Sequence, residues 1–288
     1  MRRLTLIVAG AVCAVACGKS SVSPSAPTSS TLVITPGPEF GNASVPHLAA
    51  SRFLAFGDSI TWGEDGRNDI SDPLRFHTAV MVAYPYPQWL QLQLRSLYSA
   101  HLPSVFNAGC RGEAADSQIS APDDCPGAGL IPVTRFDSFV SSGEYDAVLL
   151  MEGANDLGIA SGIDGAIVAL GMMVEDAKAH HLHVFLATIP PEQQNADPSP
   201  AARNHPEADV LALNVQIRSL AQSEGVTLVD VYNAFPSPDV YDLYSLGLLS
   251  RDGLHPLESG YQLIASTFMG ALQRALELPP AVPTASKS

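Results

Sequence analysis

The sequence predicts an α/β sandwich built on a mostly parallel five-stranded sheet, and three observations predict it. Short apolar runs alternate with longer amphipathic stretches between residues 53 and 276. The apolar runs do not alternate with polar residues, as expected of strands covered by helices on both faces. Residues able to carry chemistry gather where those runs end, the edge at which open α/β sheets bind ligands.

Taken in order, strands are expected at 53–56, 105–107, 147–151, 183–188 and 227–229, and helices at 86–98, 134–141, 163–180, 208–223 and 259–276. The third helix carries Ile163, Ile167, Leu170 and Val174 at helical spacing, which reads as a core stripe. Two long loops, 63–85 and 189–207, interrupt the scheme, and long loops in a compact domain are often substrate walls. Glu64, Asp65 and Asp69 in the first loop read as a solvated stretch, because their spacing fits no calcium cage. In the aromatic segment 84–89, Trp89 is expected in the core, with an acyl-pocket wall as the alternative. His180, His181 and His183 end a helix and enter a strand, where they suit the negative helix pole better than a metal. No repeat occurs at any fixed period.

With 288 residues, 46% of them hydrophobic, the chain can bury one full core and still carry tails. The formal net charge of -14, without a basic stripe, argues against nucleic acid as a partner. Arg2 and Arg3 precede an apolar run over 4–16, which reads as a signal peptide (1–16) and is too short to span a bilayer comfortably. Ala14-Val15-Ala16-Cys17 resembles a bacterial lipobox. Cys17 would then be the lipidated first residue of an exported lipoprotein facing the periplasm or cell surface, touching the membrane through that anchor only; plain secretion is the alternative. Residues 17–49, rich in Ser, Pro and Thr, read as a flexible tether, and 279–288 as a loose tail. That leaves 50–278 as the folded domain. Cys13 goes with the signal. In an oxidising compartment Cys110 and Cys125 are expected to pair, closing a loop of about 15 residues worth about 3 kcal/mol. Two free buried thiols are the alternative.

Four short motifs fall at predicted strand ends: Gly57-Asp58-Ser59, Asn107-Ala108-Gly109-Cys110-Arg111-Gly112-Glu113, Glu152-Gly153-Ala154-Asn155-Asp156 and Asp252-Gly253-Leu254-His255-Pro256. Gly57 is expected to allow a sharp turn that presents Ser59 at the start of a helix. A serine is a weak nucleophile until a base takes its proton, and His255 can serve at neutral pH. Asp252, three residues earlier, can fix the imidazole's orientation. The Ser59 amide, the Gly109 amide and the Asn155 side chain are the expected oxyanion donors. Asp58 and Asp156 are expected to brace turn and loop by side-chain-to-backbone bonds. Arg111 and Glu113 are open between orienting the Gly109 loop and touching substrate.

These four blocks, in this order, resemble those of the SGNH/GDSL hydrolases. The family's serine, glycine, asparagine and histidine match Ser59, Gly109, Asn155 and His255, and its aspartate falls on Asp252. The resemblance runs over residues 52 to 276. It implies a flavodoxin-like three-layer α/β/α sandwich, and hydrolysis of esters through an acyl-enzyme with no metal or organic cofactor. No Gly-x-Ser-x-Gly elbow is present, which separates the chain from the α/β-hydrolases. Polar loops and an export signal favour small-molecule or carbohydrate esters with short acyl groups, acetyl among them. The alternatives are lysophospholipids or thioesters with longer chains, and a non-catalytic ligand-binding lipoprotein.

Overall fold

The computed structural model describes residues 46–66, 80–193 and 205–279. The signal peptide, Cys17, the tether as far as residue 45, Asp69 and the tail from residue 280 lie outside the described residues. The elements run β1 (His47–Leu48), β2 (Arg52–Gly57), α1 (Ser59–Trp62), β3 (Glu64–Asp65), β4 (Val80–Met81), α2 (Tyr86–Leu97), β5 (Ser104–Gly109), α3 (Pro132–Val140), β6 (Ala147–Met151) and a 3-10 turn (Asn155–Gly158). They continue with α4 (Gly162–Ala179), β7 (His183–Ala187), α5 (Glu207–Glu224), β8 (Thr227–Val229), α6 (Val231–Ala234), α7 (Glu258–Leu276) and β9 (Glu277–Leu278).

The main sheet has the order β5-β2-β6-β7-β8, and every neighbouring pair is parallel. This is the flavodoxin-like order, with the first strand of the sheet, β2, flanked on either side by strands that follow it. The chain therefore reverses its winding direction at β2, and the cleft outside the carboxyl end of such a strand is where ligands bind. Helices α2 and α7 pack together, joined by the stacked rings of Tyr86 and Phe268, 5.1 Å apart. Helices α3, α4 and α5 pack side by side in a separate group. In α2, Tyr86, Leu90 and Leu94 are buried at four-residue steps, the helical period, and Pro87 sits in the first turn, where its missing N–H goes unused. Truncating either leucine to alanine removes contacts worth about 2–5 kcal/mol.

Several expectations need correction. The tether does not reach Ala49: His47–Leu48 pairs antiparallel with Glu277–Leu278, and Leu48 and Ala50 are buried. A two-residue strand is too short to leave a periodic signal, so the folded part begins earlier than 50. The α4 stripe is rotated: Ala166, Ala169, Leu170, Met173, Val174 and Ala177 are buried, whereas Ile163 and Ile167 are only partly so. Small alanines let the helix approach the sheet, and the two isoleucines pack at its flank. Glu64 and Asp65 are not solvated; they form a short hairpin with Val80–Met81 and are 3% and 7% exposed. Trp89 packs partly against the core, donates from Nε1 to Glu258 Oε1 (3.2 Å) and faces the α2–α7 surface.

Candidate active site

The end of β2 sets the site. Gly57 is needed for close approach and not for an unusual turn: a Cβ there would lie 2.1 Å from the Met151 carbonyl oxygen on β6. Asp58 then caps α1, its Oδ1 accepting from the Ile60 N–H at 2.8 Å, as expected of a turn-bracing carboxylate. Ser59 follows as the first helical residue, 4% exposed. Its Oγ lies 2.8 Å from His255 Nε2, and His255 Nδ1 lies 2.7 Å from Asp252 Oδ2. The other Asp252 oxygen accepts from Ser250 Oγ at 2.6 Å and from the amides of Leu254 and His255, each at 3.0 Å. Burial pushes the Asp252 carboxyl up, but the hydrogen bonds and charge of His255, with the Ser250 and amide bonds, bring it down to about 2. Asp252 is thus a fixed anion on the far side of the imidazole, and it dictates that Nδ1 carries a proton and Nε2 faces the serine.

Gly109 is not an oxyanion donor. Strand β5 runs two residues further than expected, through Gly109, so that residue is still inside the sheet and pairs with Gly57. Its N–H donates to Asn107 Oδ1 at 2.9 Å, and a Cβ on it would meet the Trp62 backbone nitrogen at 2.0 Å. Its glycine is explained by packing. Gly112, three residues on, lines the same pocket as Ser59, Asn155 and His255. Its N–H has no acceptor among the described residues. Asn155 stands on the 3-10 turn after β6 and spends one amide hydrogen on the Glu113 carbonyl at 2.8 Å, leaving the second available. Asp156 binds the amides of Ala115 and Asp116 at 2.8 and 3.0 Å, tying this turn to the Gly112 loop. Cys110 and Cys125 form a disulfide with a Cα–Cα distance of 5.1 Å, fastening the same loop from its other side.

Glu113 does not touch the pocket. It is paired through both oxygens with the fully buried Arg135, Nε to Oε2 at 2.8 Å and Nη2 to Oε1. Arg111 stacks over the Trp62 ring at 5.3 Å and lies near Asp124 (3.4 Å) and Glu64 (3.6 Å). Glu64 in turn brings Oε2 within 3.7 Å of His255 Nε2, a second carboxylate beside the base that the loop reading did not anticipate. His205, at the end of the second long loop, also lines the pocket. Neither residue belongs to a local motif, so their approach is a product of the fold alone. His180 lies 3.7 Å from Asp176. Among the described residues the one group with metal-ligand spacing is Asp137, Asp176 and His180, at the surface.

Behind the serine lies a set of buried acids. Glu152 is 1% exposed, and neither of its oxygens has a hydrogen-bond partner among the described residues. Burial, then the charges of Asp58, Glu113 and Asp156, push its carboxyl well up. Burial likewise drives Asp58 to about 7, with the Ile60 amide and His255 pulling the other way and Asp156 and Glu113 adding to the rise. A carboxyl raised in the folded state binds its proton more tightly there than in the unfolded chain. Its contribution to stability therefore falls as pH rises from about 4, the unfolded value, to about 7. Asp58→Asn keeps an oxygen for the Ile60 amide and cannot ionise. In urea unfolding at pH 8 it should be more stable than the wild type by about 4 kcal/mol, the rise from 3.8 to about 7 taken at about 1.4 kcal/mol per pH unit, with the gain shrinking towards pH 4. An equal difference at both pH values would contradict this account.

Residues 55–263 match the GDSL-like lipase/acylhydrolase family. The chain belongs to that family. No curated protein shows significant similarity to the sequence. Among solved structures of GDSL-type fold, a lipase/acylhydrolase from Enterococcus faecalis shares 19% identity at a TM-score of 0.58, covering 81% of this chain and 99% of its own. A carbohydrate acetylesterase from Sinorhizobium meliloti shares 16% at 0.59, covering 78% and 99%. An acetylxylan esterase from Geobacillus stearothermophilus shares 20% at 0.54, covering 77% and 94%. At these identities the likeness is one of fold, and in the GDSL fold the Ser59 turn, the Gly112 loop, the Asn155 turn and the Asp252–His255 segment all converge on the carboxyl edge of the sheet.

Proposed function

We propose that this GDSL-family hydrolase is a serine esterase that removes short acyl groups, acetyl among them, from hydroxylated or carbohydrate substrates. The observation that carries the reading is the continuous chain Ser59 Oγ, His255 Nε2, His255 Nδ1, Asp252 Oδ2, with links of 2.8 and 2.7 Å. Ser59 attacks the ester carbonyl while His255 takes its proton. The negative charge that develops on the carbonyl oxygen is met by the amides of Ser59 and Gly112 and by the second Asn155 amide hydrogen, each such donor being worth about 3 kcal/mol in the transition state. His255 then protonates the departing alcohol. Water, deprotonated by the same imidazole, releases the acid and restores Ser59. Asp252 stays ionised throughout and stabilises the imidazolium that forms in each half.

Acyl length is argued from size and lining. The pocket at Ser59 holds about 290 Å³, at the lower end of small-molecule sites. Glu64, Ser117, Asn155 and His205 contribute polar groups to its wall, and carbohydrate acetylesterases stand among the structural neighbours. Ile119 and Ile159, exposed at the same pocket, favour the second reading, a longer acyl chain lying across the rim. A ladder of p-nitrophenyl esters from acetate to palmitate separates the two. The expected result is a kcat/KM that is highest at acetate or propionate and lower by about tenfold or more at octanoate, a difference of about 1.4 kcal/mol. A maximum at octanoate or beyond would replace the short-chain reading with the lipid one. Absence of turnover on every rung, in a folded protein, would remove the esterase reading.

A further inference from the structure

A pair at the pocket that takes no part in the reaction is His205 with Glu192. Glu192 follows β7 in a segment pinned from both sides. Asn214 of α5 clamps the strand exit, accepting from the Ile189 amide at 2.9 Å and donating to the Ile189 carbonyl at 3.0 Å, with its own side chain buried. Gln193, next in the chain, donates its amide to the Gly253 carbonyl at 2.8 Å and accepts from the Leu243 amide at 2.8 Å. The Glu192 carboxylate between them is 1% exposed. Both its oxygens face one residue: Oε2 takes the His205 backbone amide, and Oε2 and Oε1 lie 3.0 and 3.3 Å from His205 Nδ1. A buried carboxylate whose partners among the described residues all belong to His205 fixes that ring's position and makes Nδ1 the donor to it. The hydrogen bond to Glu192, against some burial, raises the His205 pKa, and the charges of Glu192 and Asp209 add to the rise.

The remaining ring nitrogen faces the site. His205 Nε2 lies 3.3 Å from where a Cβ on Gly158 would stand, at the end of the 3-10 turn that begins with Asn155. Among the described residues it has no partner, and His205 lines the pocket that holds Ser59 and His255. Acyl transfer needs one base, and His255 already occupies that place, so a second oriented imidazole has another use. With the ring proton on Nδ1, Nε2 is presented to the pocket as an acceptor.

We propose that His205, held by Glu192, is a substrate-positioning residue whose Nε2 accepts a hydrogen bond from a hydroxyl of the alcohol part of the ester. The inference rests on the serine-esterase reading and adds to it the class of alcohol: one bearing free hydroxyls next to the acylated carbon, neither an alkyl alcohol nor an anionic one. A hydroxyl can donate to Nε2, whereas an alkyl group leaves that nitrogen unpaired and a carboxylate has no hydrogen to give it.

Three small acetates test it with the full-length protein: glycerol monoacetate, propyl acetate and 3-acetoxypropionate. The readout is kcat/KM for glycerol monoacetate divided by that for propyl acetate. In the wild type the ratio should be about tenfold or more, and His205→Ala should bring it near unity, mainly through KM, the loss expected when one buried hydrogen bond is removed. His205→Gln, which retains a side-chain acceptor and guards against a folding defect in the alanine variant, should recover part of the ratio. Glu192→Gln should lower it severalfold by freeing the ring. An unchanged ratio in both His205 variants, or equal losses on both esters, would overturn the proposal, as would a preference for 3-acetoxypropionate that His205→Ala abolishes. Loss of all three activities in Ser59→Ala is the separate control. If hydrolysis persists there, the esterase reading itself fails, whatever His205 does.

Discussion

Ser59→Ala should lower kcat/KM for p-nitrophenyl acetate by a factor of about 10^4 to 10^6 and leave the melting temperature nearly unchanged. The size follows from what remains. Without the serine oxygen no acyl-enzyme forms, and the surviving oxyanion donors can assist only direct attack by water, which retains a small part of the acceleration. The fold should be indifferent, because the helix cap belongs to Asp58 and the Ser59 hydroxyl bonds only to His255 among the described residues. A sharper form adds His255→Ala. Because nucleophile and base act as one unit, the double variant should be no slower than either single one within a few-fold. Additive losses would mean that Ser59 and His255 serve separate steps. Activity retained in a pure Ser59→Ala preparation would mean that some other group attacks the ester.

The sequence revealed the sheet and the Ser59, Asp252 and His255 segment because both are encoded locally. Apolar runs mark the five strands to within two residues at each end, and Asp252-x-x-His255 is a four-residue motif whose geometry is set by one tight turn. The Gly109 assignment failed for a related reason. Apolar patterning placed the end of β5 at Asn107, but pairing with β2 carries the strand on to Gly109, so the loop that faces the serine starts later and presents Gly112. A strand's end is set by its neighbour's length, which no local pattern contains. Glu64, Glu192 and His205 were illegible for a different reason. Each is a charged residue in a loop, where the default expectation is solvent, and each is buried or half-buried by packing against residues distant in sequence. Arg135 is the extreme case: an arginine in an amphipathic helix reads as surface, yet it is fully buried.

That arginine carries the largest expected effect on stability. Its guanidinium binds both Glu113 oxygens, donates from Nη1 to the carbonyls of Ala108 (2.8 Å) and Pro126 (3.1 Å), and lies 4.0 Å over the Phe56 ring of β2. It therefore joins α3, the end of β5, the Gly112 loop and the segment after Cys125. Arg135→Met fills much of the volume but leaves Glu113 buried without its cation, where burial and the nearby Asp156 already press its carboxyl upward. Removing one partner of such a pair costs about 3–5 kcal/mol. For a domain of this size the melting temperature should drop by about 6–20 °C. Arg135→Lys keeps the charge but cannot span two oxygens and two carbonyls, so it should fall between. The double variant Arg135→Met with Glu113→Leu separates the causes. If the stranded carboxylate dominates, it should recover a large part of the loss, whereas no recovery would assign the loss to the unpaired Ala108 and Pro126 carbonyls. A loss below about 1 kcal/mol in Arg135→Met would mean that desolvation of the pair cancels its attraction. The active site then supplies a second reading of the same variant. Asn155 donates to the Glu113 carbonyl and Asp156 holds the amides of Ala115 and Asp116. Freeing Glu113 should therefore misplace the Gly112 and Asn155 donors together and lower kcat in whatever fraction remains folded.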